Sequence, residues 1–157
     1  MDLFRPQTLK GEWFPFGDGQ VLVRLIPADV DAVFRKSHYK DRTSADIEKE
    51  GGECLGLALM TAYVLDRACH ALVDTKNVWA PQEMVAGALP TELPAGAPGP
   101  ETRADGMVRL DGFWSDAMKR VLLKELLRND QLGMYAVDCS RSLAAKVEAK
   151  KEALGKA

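Results

Sequence analysis

At 157 residues, with 46% hydrophobic and 28% charged side chains, the chain suits one domain rather than a disordered polypeptide. A chain of this length buries roughly 70% of the surface its unfolded form exposes, which is enough for a sizeable core. A formal charge of −2 excludes the overall basic footprint of a nucleic-acid binder, and the absence of a basic stretch leading into an apolar one predicts no secretory signal. Three cysteines, an odd number, point to free thiols in a reducing cytoplasm.

The first predicted element is a β-hairpin over residues 11–27. Trp13, Phe14 and Phe16 favour a strand, Pro15 restricts it to an edge or a bulge, and Gly17-Asp18-Gly19 supplies the positive φ angles of a tight loop. The returning run QVLVRLI alternates, with Val21, Val23 and Leu25 on one side and Leu22, Arg24 and Ile26 on the other. With a single charge between the two faces, this strand is expected to be packed on both sides.

Pro27, followed by Asp29 and Asp31, suits a helix start, and Val30, Val33 and Phe34 carry the helix over residues 28–37. The polar segment after it reads as a surface connection with a helical turn after Ser44, ended by Gly51-Gly52. Residues 53–73 form the strongest predicted helix. Leu55, Leu59, Ala62, Val64, Leu65 and Ala68 leave little of its circumference polar, so it is expected to be central and mostly buried. Its uncharged run, CLGLALMTAYVL, is twelve residues, short of the roughly 20 that a membrane span requires.

A turn or two of helix is expected within residues 80–88, with Pro81 at the first helical position. Residues 89–106, rich in proline and glycine, read as a long exposed loop. MVRLDG is a short strand that could extend the hairpin's edge. Trp114, Met118, Val121, Leu122 and Leu126 define an amphipathic helix over residues 113–128, capped by Ser115 or Asp111 and broken at Asn129-Asp130. The last helix, residues 131–154, carries Leu132, Tyr135, Ala136, Cys139, Leu143 and Val147 on one stripe. Its alanine- and lysine-rich end outruns the core and suits homo-oligomerisation. The expected fold is therefore α+β and mostly helical: one domain over residues 1–157, with an N-terminal hairpin packed on three to four helices.

No arrangement in this order carries enzyme chemistry. Cys54 and Cys69, on one helix, stand roughly 22 Å apart and cannot ligate one zinc ion, and no CxxC or HxxxH pair exists. Cys69 and His70 are adjacent, so on a helix they diverge rather than form a nucleophile–base pair. His70 reads as a partly buried, hydrogen-bonded side chain, with Asp66 four residues earlier at a suitable spacing for a structural pair. Asp111 with Asp116, and Glu48 with Glu50, read as solvated carboxylates. The Gly-Asp-Gly lacks a Walker lysine and joins two strands. Catalytic, cofactor-binding and metal-ligating residues are thus not expected. Trp13, Phe14, Phe16, Trp79 and Trp114 remain. They read either as core packing between hairpin and helices or as an exposed apolar patch for a protein partner, the type of site in which tryptophan is enriched.

The succession WFPFGDGQVLVRLIPADVDAVFRK, HALVDTKNVW and VRLDGFWSDAMKRVLLKELLRNDQLGMYAVDCSRSL resembles small tail assembly chaperone-like proteins of phages and prophages. The proline-rich insertion departs from that pattern. The resemblance implies a cytoplasmic, non-enzymatic accessory protein that acts by protein–protein contact and binds a phage structural protein, the tape measure protein, while the tail is built. It implies no catalytic residue, while the charge and the short apolar run already predict no nucleic-acid and no membrane partner. A second reading is a prophage or bacterial ligand-binding or regulatory module, with an apolar pocket between hairpin and helices lined by Trp13, Phe16 and Trp114.

Overall fold

A computed structural model describes residues 11–87, 96, 98–125 and 131–155. Residues 88–95 and 97, which include the first part of the expected proline-rich loop, lie outside the described residues. So do 126–130, with Leu126 and the Asn129-Asp130 break.

The hairpin forms from β1 (Glu12–Phe16) and β2 (Gly19–Val23), paired antiparallel with Phe14 opposite Val21 and Trp13 opposite Leu22. Gly17 takes the positive φ, 56°, that the loop demands. Gly19 serves a different need: a Cβ there would lie 2.4 Å from the Lys76 carbonyl oxygen and 2.8 Å from that of Asn77. The neighbour that crowds it is a third strand, β3 (Leu72–Lys76), antiparallel to β2 with a register shift between Leu22 and Val23. The helix expected over residues 53–73 ends at Ala71, and β3 is absent from the expected elements. Five residues continuing a helix without a glycine or proline give no local stop signal, so pairing with β2 decides the change.

Helix α1 (Ala28–Tyr39) follows the hairpin, and α2 (Ser44–Glu50) is closed by a reciprocal capping box between Thr43 and Asp46. Helix α3 (Gly52–Ala71) then runs into β3. A second, two-stranded antiparallel sheet pairs β4 (Trp79–Pro81) with β5 (Met107–Arg109), so MVRLDG does supply a strand, but not at the hairpin's edge. Pro81 ends β4 and precedes the four-residue α4 (Gln82–Val85). The end of the expected loop also has structure, since residues 101–109 double back through a turn in which Arg103 N–H donates to the Met107 carbonyl and Arg109 N–H to the Glu101 carbonyl. Helix α5 (Asp116–Glu125) is capped by the Ser115 hydroxyl, which accepts from Met118 N–H, and α6 (Leu132–Gly155) completes the chain. The fold is α+β and mostly helical.

Two apolar clusters form beneath the two sheets. The larger joins Val21, Val23 and Leu72 to Ala68 and Ala71 of α3, Leu123 of α5, and Leu132, Ala136, Val137, Cys139 and Leu143 of α6, with Phe14 and Phe16 packed against it. The smaller holds Ala80, Val85, Val108, Leu110, Met118 and Leu122. Trp114 touches both, and its Nε1–H donates to the Thr75 hydroxyl at 2.9 Å. On α5 the buried face runs through Met118, Leu122 and Leu123, and Val121 is exposed, a correction to the expected stripe. Nor is β2 covered equally on both faces: Val21 and Val23 are fully buried, whereas Leu22 is only half-buried.

Asp111 ties the two sheets together. Its carboxylate accepts from the Thr75 hydroxyl, the Asn77 and Val78 amides and the Arg109 guanidinium. Burial opposes its ionisation, but the Thr75 hydroxyl, Arg109 and the two amides outweigh burial and hold its pKa below the usual carboxylate range. A depressed folded-state pKa means that this contribution is present above the ordinary value of 3.8 and is lost as pH falls through the folded value.

Two substitutions test this account. Gly19→Ala should destabilise the protein by about 1–3 kcal/mol in urea melts, since the new methyl meets backbone rather than a side chain that can move. Asp111→Asn should reduce stability at pH 7 and flatten its decline below pH 4, read from the same melts across pH. An unchanged acid slope would show that Asp111 does not hold this corner.

Candidate functional site

The five aromatic residues proposed from the sequence do not converge on one surface. Phe14 and Phe16 point from β1 into the larger core, where Phe16 meets Tyr135 at 5.3 Å between ring centroids. Trp13, one residue out of phase, belongs to the opposite face of the sheet, and the Lys76 ammonium sits 4.2 Å from its ring centre. Trp79 lies on the second sheet beneath the Arg103 and Arg109 guanidinium groups. Trp114 is the joint between the cores. Strand alternation separates Trp13 from Phe14 and Phe16, and that period is visible in the sequence.

Val33, Met84, Val121 and Leu154 are exposed singly on other elements, and two exposed large apolar side chains lie close together on α3. One stripe of this helix runs through Leu57, Met60, Thr61, Val64, Leu65, Ala68 and Ala71 at spacings of three and four. Its C-terminal half packs on the larger core, with Ala68 and Ala71 fully buried. Its N-terminal half continues in the same direction with Leu57 65% and Met60 54% exposed. The expectation that α3 is mostly buried is therefore corrected: Asp66, Ala68 and Ala71 are its buried residues, all in the last two turns. Helical periodicity reports which side of a helix is apolar, not how far along its axis the core extends.

The other side of α3 is polar and holds α1 in place. Neither α1 nor α2 has a buried residue. Asp66, only 8% exposed, accepts from His38 of α1 at 2.5 Å and from Arg120 of α5 at 2.5 Å. The spacing-based partner His70 is instead beside Arg24. A turn earlier on α3, the Tyr63 hydroxyl donates to Asp31 of α1. Arg67 Nε is 3.3 Å from the same carboxylate, but its buried N–H is too poorly aligned to bond. An open groove of about 760 Å³ lies along this seam, bordered by Asp31, Arg35, Tyr39, Arg42 and Tyr63.

Below it a smaller pocket of about 370 Å³ is lined by Arg24, Phe34, Asp66, Cys69, His70, Asp116 and Arg120. Arg24 Nε donates to the His70 carbonyl at 2.6 Å. Burial, reinforced by Arg24 and Lys119, pushes the His70 pKa below 6.5. Burial likewise pushes the Cys69 thiol up, so it is not an activated nucleophile. Cys54 and Cys69 do share α3, the first exposed and the second half-buried. Among the described residues, no group of three or more His, Cys, Asp or Glu side chains is placed to hold a metal ion, and no helix is long and apolar enough to cross a membrane.

Compared with known proteins, the chain matches no family model, no curated protein and no solved structure.

Asp66→Ala should cost about 1–3 kcal/mol, since His38 and Arg120 lose their shared acceptor while Arg120, 53% exposed, stays solvated. The loss should be local first: amide exchange should rise across residues 28–50 while β2 and the first half of α6 stay protected. Uniform loss of protection would show that α1 is held otherwise. Because the folded-state pKa of His70 lies below 6.5, its contribution is complete above that value and is lost as pH falls through the window beneath it. Melts of the His70→Gln variant should show a shallower loss of stability than wild type between pH 7 and pH 5.

Proposed function

We propose that this chain is a non-enzymatic accessory protein that works by protein–protein contact through the exposed stripe of α3. The resemblance to phage tail assembly chaperone-like proteins names the tape measure protein as its partner. The observation that supports the contact reading is the continuity of one apolar stripe from core into solvent. Val64, Leu65, Ala68 and Ala71 are packed against the core, while Leu57 and Met60 on the same stripe are open. Burying a leucine or methionine fully is worth about 1.5–3 kcal/mol, so a helix laid along these turns would gain from both. The stripe has a suitable form for a helix of another chain, since helices dock through anchors at spacings of three and four.

Co-expression with the gene products encoded beside this one tests the proposal. The wild-type chain should co-purify with a tape measure protein, and a Leu57→Glu, Met60→Lys variant should lose that partner. The variant should keep its melting behaviour within about 0.5 kcal/mol, since both side chains are already exposed. Equal recovery of the partner by both forms would remove the stripe from the interface. A chain that recovers none of these gene products and stays monodisperse would overturn the function. Concentration-dependent self-association, abolished by the same pair of substitutions, would assign the stripe to a second copy of this chain.

A further inference from the structure

Lys119 is the most buried cation among the described residues, 8% exposed, and the only hydrogen bond of its ammonium there runs from Nζ to the Cys69 carbonyl at 3.1 Å. An ammonium carries three donors, and removing it from water costs several kcal/mol unless a carboxylate or equivalent acceptors replace the solvent. Neither Lys119 nor Arg24 has a carboxylate within ion-pairing distance among the described residues. Asp66 is already shared by His38 and Arg120. Asp116 acts on Lys119 through space without contacting it.

One positive charge is left over here, since Arg24, Arg120 and Lys119 outnumber Asp66 and Asp116. Arg24 and Arg120 line the 370 Å³ pocket together with Asp66, which Arg120 already pairs, and Asp116; Lys119 stands behind its wall, bonded to the backbone of Cys69, which also lines it. Arg24 is held in place by its Nε bond to the His70 carbonyl, with Nη2 3.5 Å from His70 Nδ1. The rest of its planar fork has no described partner. A fork positioned in this way suits the two oxygens of a carboxylate or phosphate. The Phe34 ring, edge-on to His70 at 6.0 Å, adds an apolar wall, and the volume is at the small end of the roughly 300–1,000 Å³ of small-molecule sites.

We propose that this pocket binds a small oxyanion, the carboxylate or phosphate group of a low-molecular-weight ligand, with Arg24 contacting it, Arg120 beside it on Asp66, and Lys119 supplying charge from behind. Burial and the nearby Arg24 already push the Lys119 pKa down, the expected state of a cation awaiting a counter-charge. The site is independent of the α3 stripe, and either can fail without the other.

Calorimetric titration of the full chain with inorganic phosphate, and separately with malonate, against sodium chloride of equal ionic strength, tests the site. At least one probe should bind saturably and raise the melting temperature above the chloride control. Phosphate alone would indicate a phosphate ester as the natural ligand, and malonate alone a carboxylic acid. Lys119→Met should fold at least as stably as wild type without added anion, and should bind the probe roughly tenfold more weakly. Arg24→Gln should abolish binding. Absence of saturable binding by both probes up to about 10 mM, weaker than any specific small-molecule site here need be, would overturn the proposal. So would binding by Lys119→Met equal to that of wild type.

Discussion

The buried carboxylate of Asp66 is the contact on which the placement of the outer helices depends. Two helices, α1 and α2, bury no side chain of their own, so hydrophobic packing alone cannot hold them. Asp66 reaches His38 on one side and Arg120 on the other, joining α1, α3 and α5 through one acceptor group. Asp31 repeats the device a turn away, meeting Tyr63 and Arg67. Such polar seams specify register and angle, because a charge removed from water tolerates few alternative partners. They add little net stability, so the same seam leaves α1 easier to release than the sheet or α6.

This division gives the molecule a firm end and a more weakly held one. At the firm end, α6 and the last two turns of α3 pack under the three-stranded sheet, and Trp114 and Asp111 lock the second sheet to the first. At the other end, α3 projects beyond the core with its apolar stripe uncovered, flanked by α1 and α2. The proposed oxyanion pocket sits between these ends, where β2, α3 and α5 meet. A ligand there would add a counter-charge at the joint, next to the carboxylate that holds α1.

Much of the architecture was legible because it rests on local rules. The hairpin follows from β-favouring residues on both sides of Gly17-Asp18-Gly19, the α5 start from Ser115, and the last helix from its stripe of Leu132, Ala136, Cys139 and Leu143. The missed strand β3 is different in kind. Leu72 to Lys76 carry no stop signal, and their extended form is imposed by pairing with β2 and by the close approach at Gly19. The partner of β5 was misassigned for the same reason, since a three-residue strand does not encode which edge it joins. The candidate site was less legible still. Arg24, Asp66, His70, Lys119 and Arg120 lie far apart in sequence, and Lys119 looks like any lysine on an amphipathic helix until its surroundings are known.

The sequence by itself determined the class of protein, an α+β chain dominated by helices, because periodicity, capping residues and turn glycines act over a few residues. It also determined which faces of each element are apolar. Only the tertiary structure decided which of those faces are covered. Leu57 and Ala68 belong to one stripe of one helix, yet the first is open and the second fully buried. The difference comes from where α6 and the sheet end along the axis of α3. That boundary depends on the packing of segments remote in sequence, so no local pattern in α3 records it.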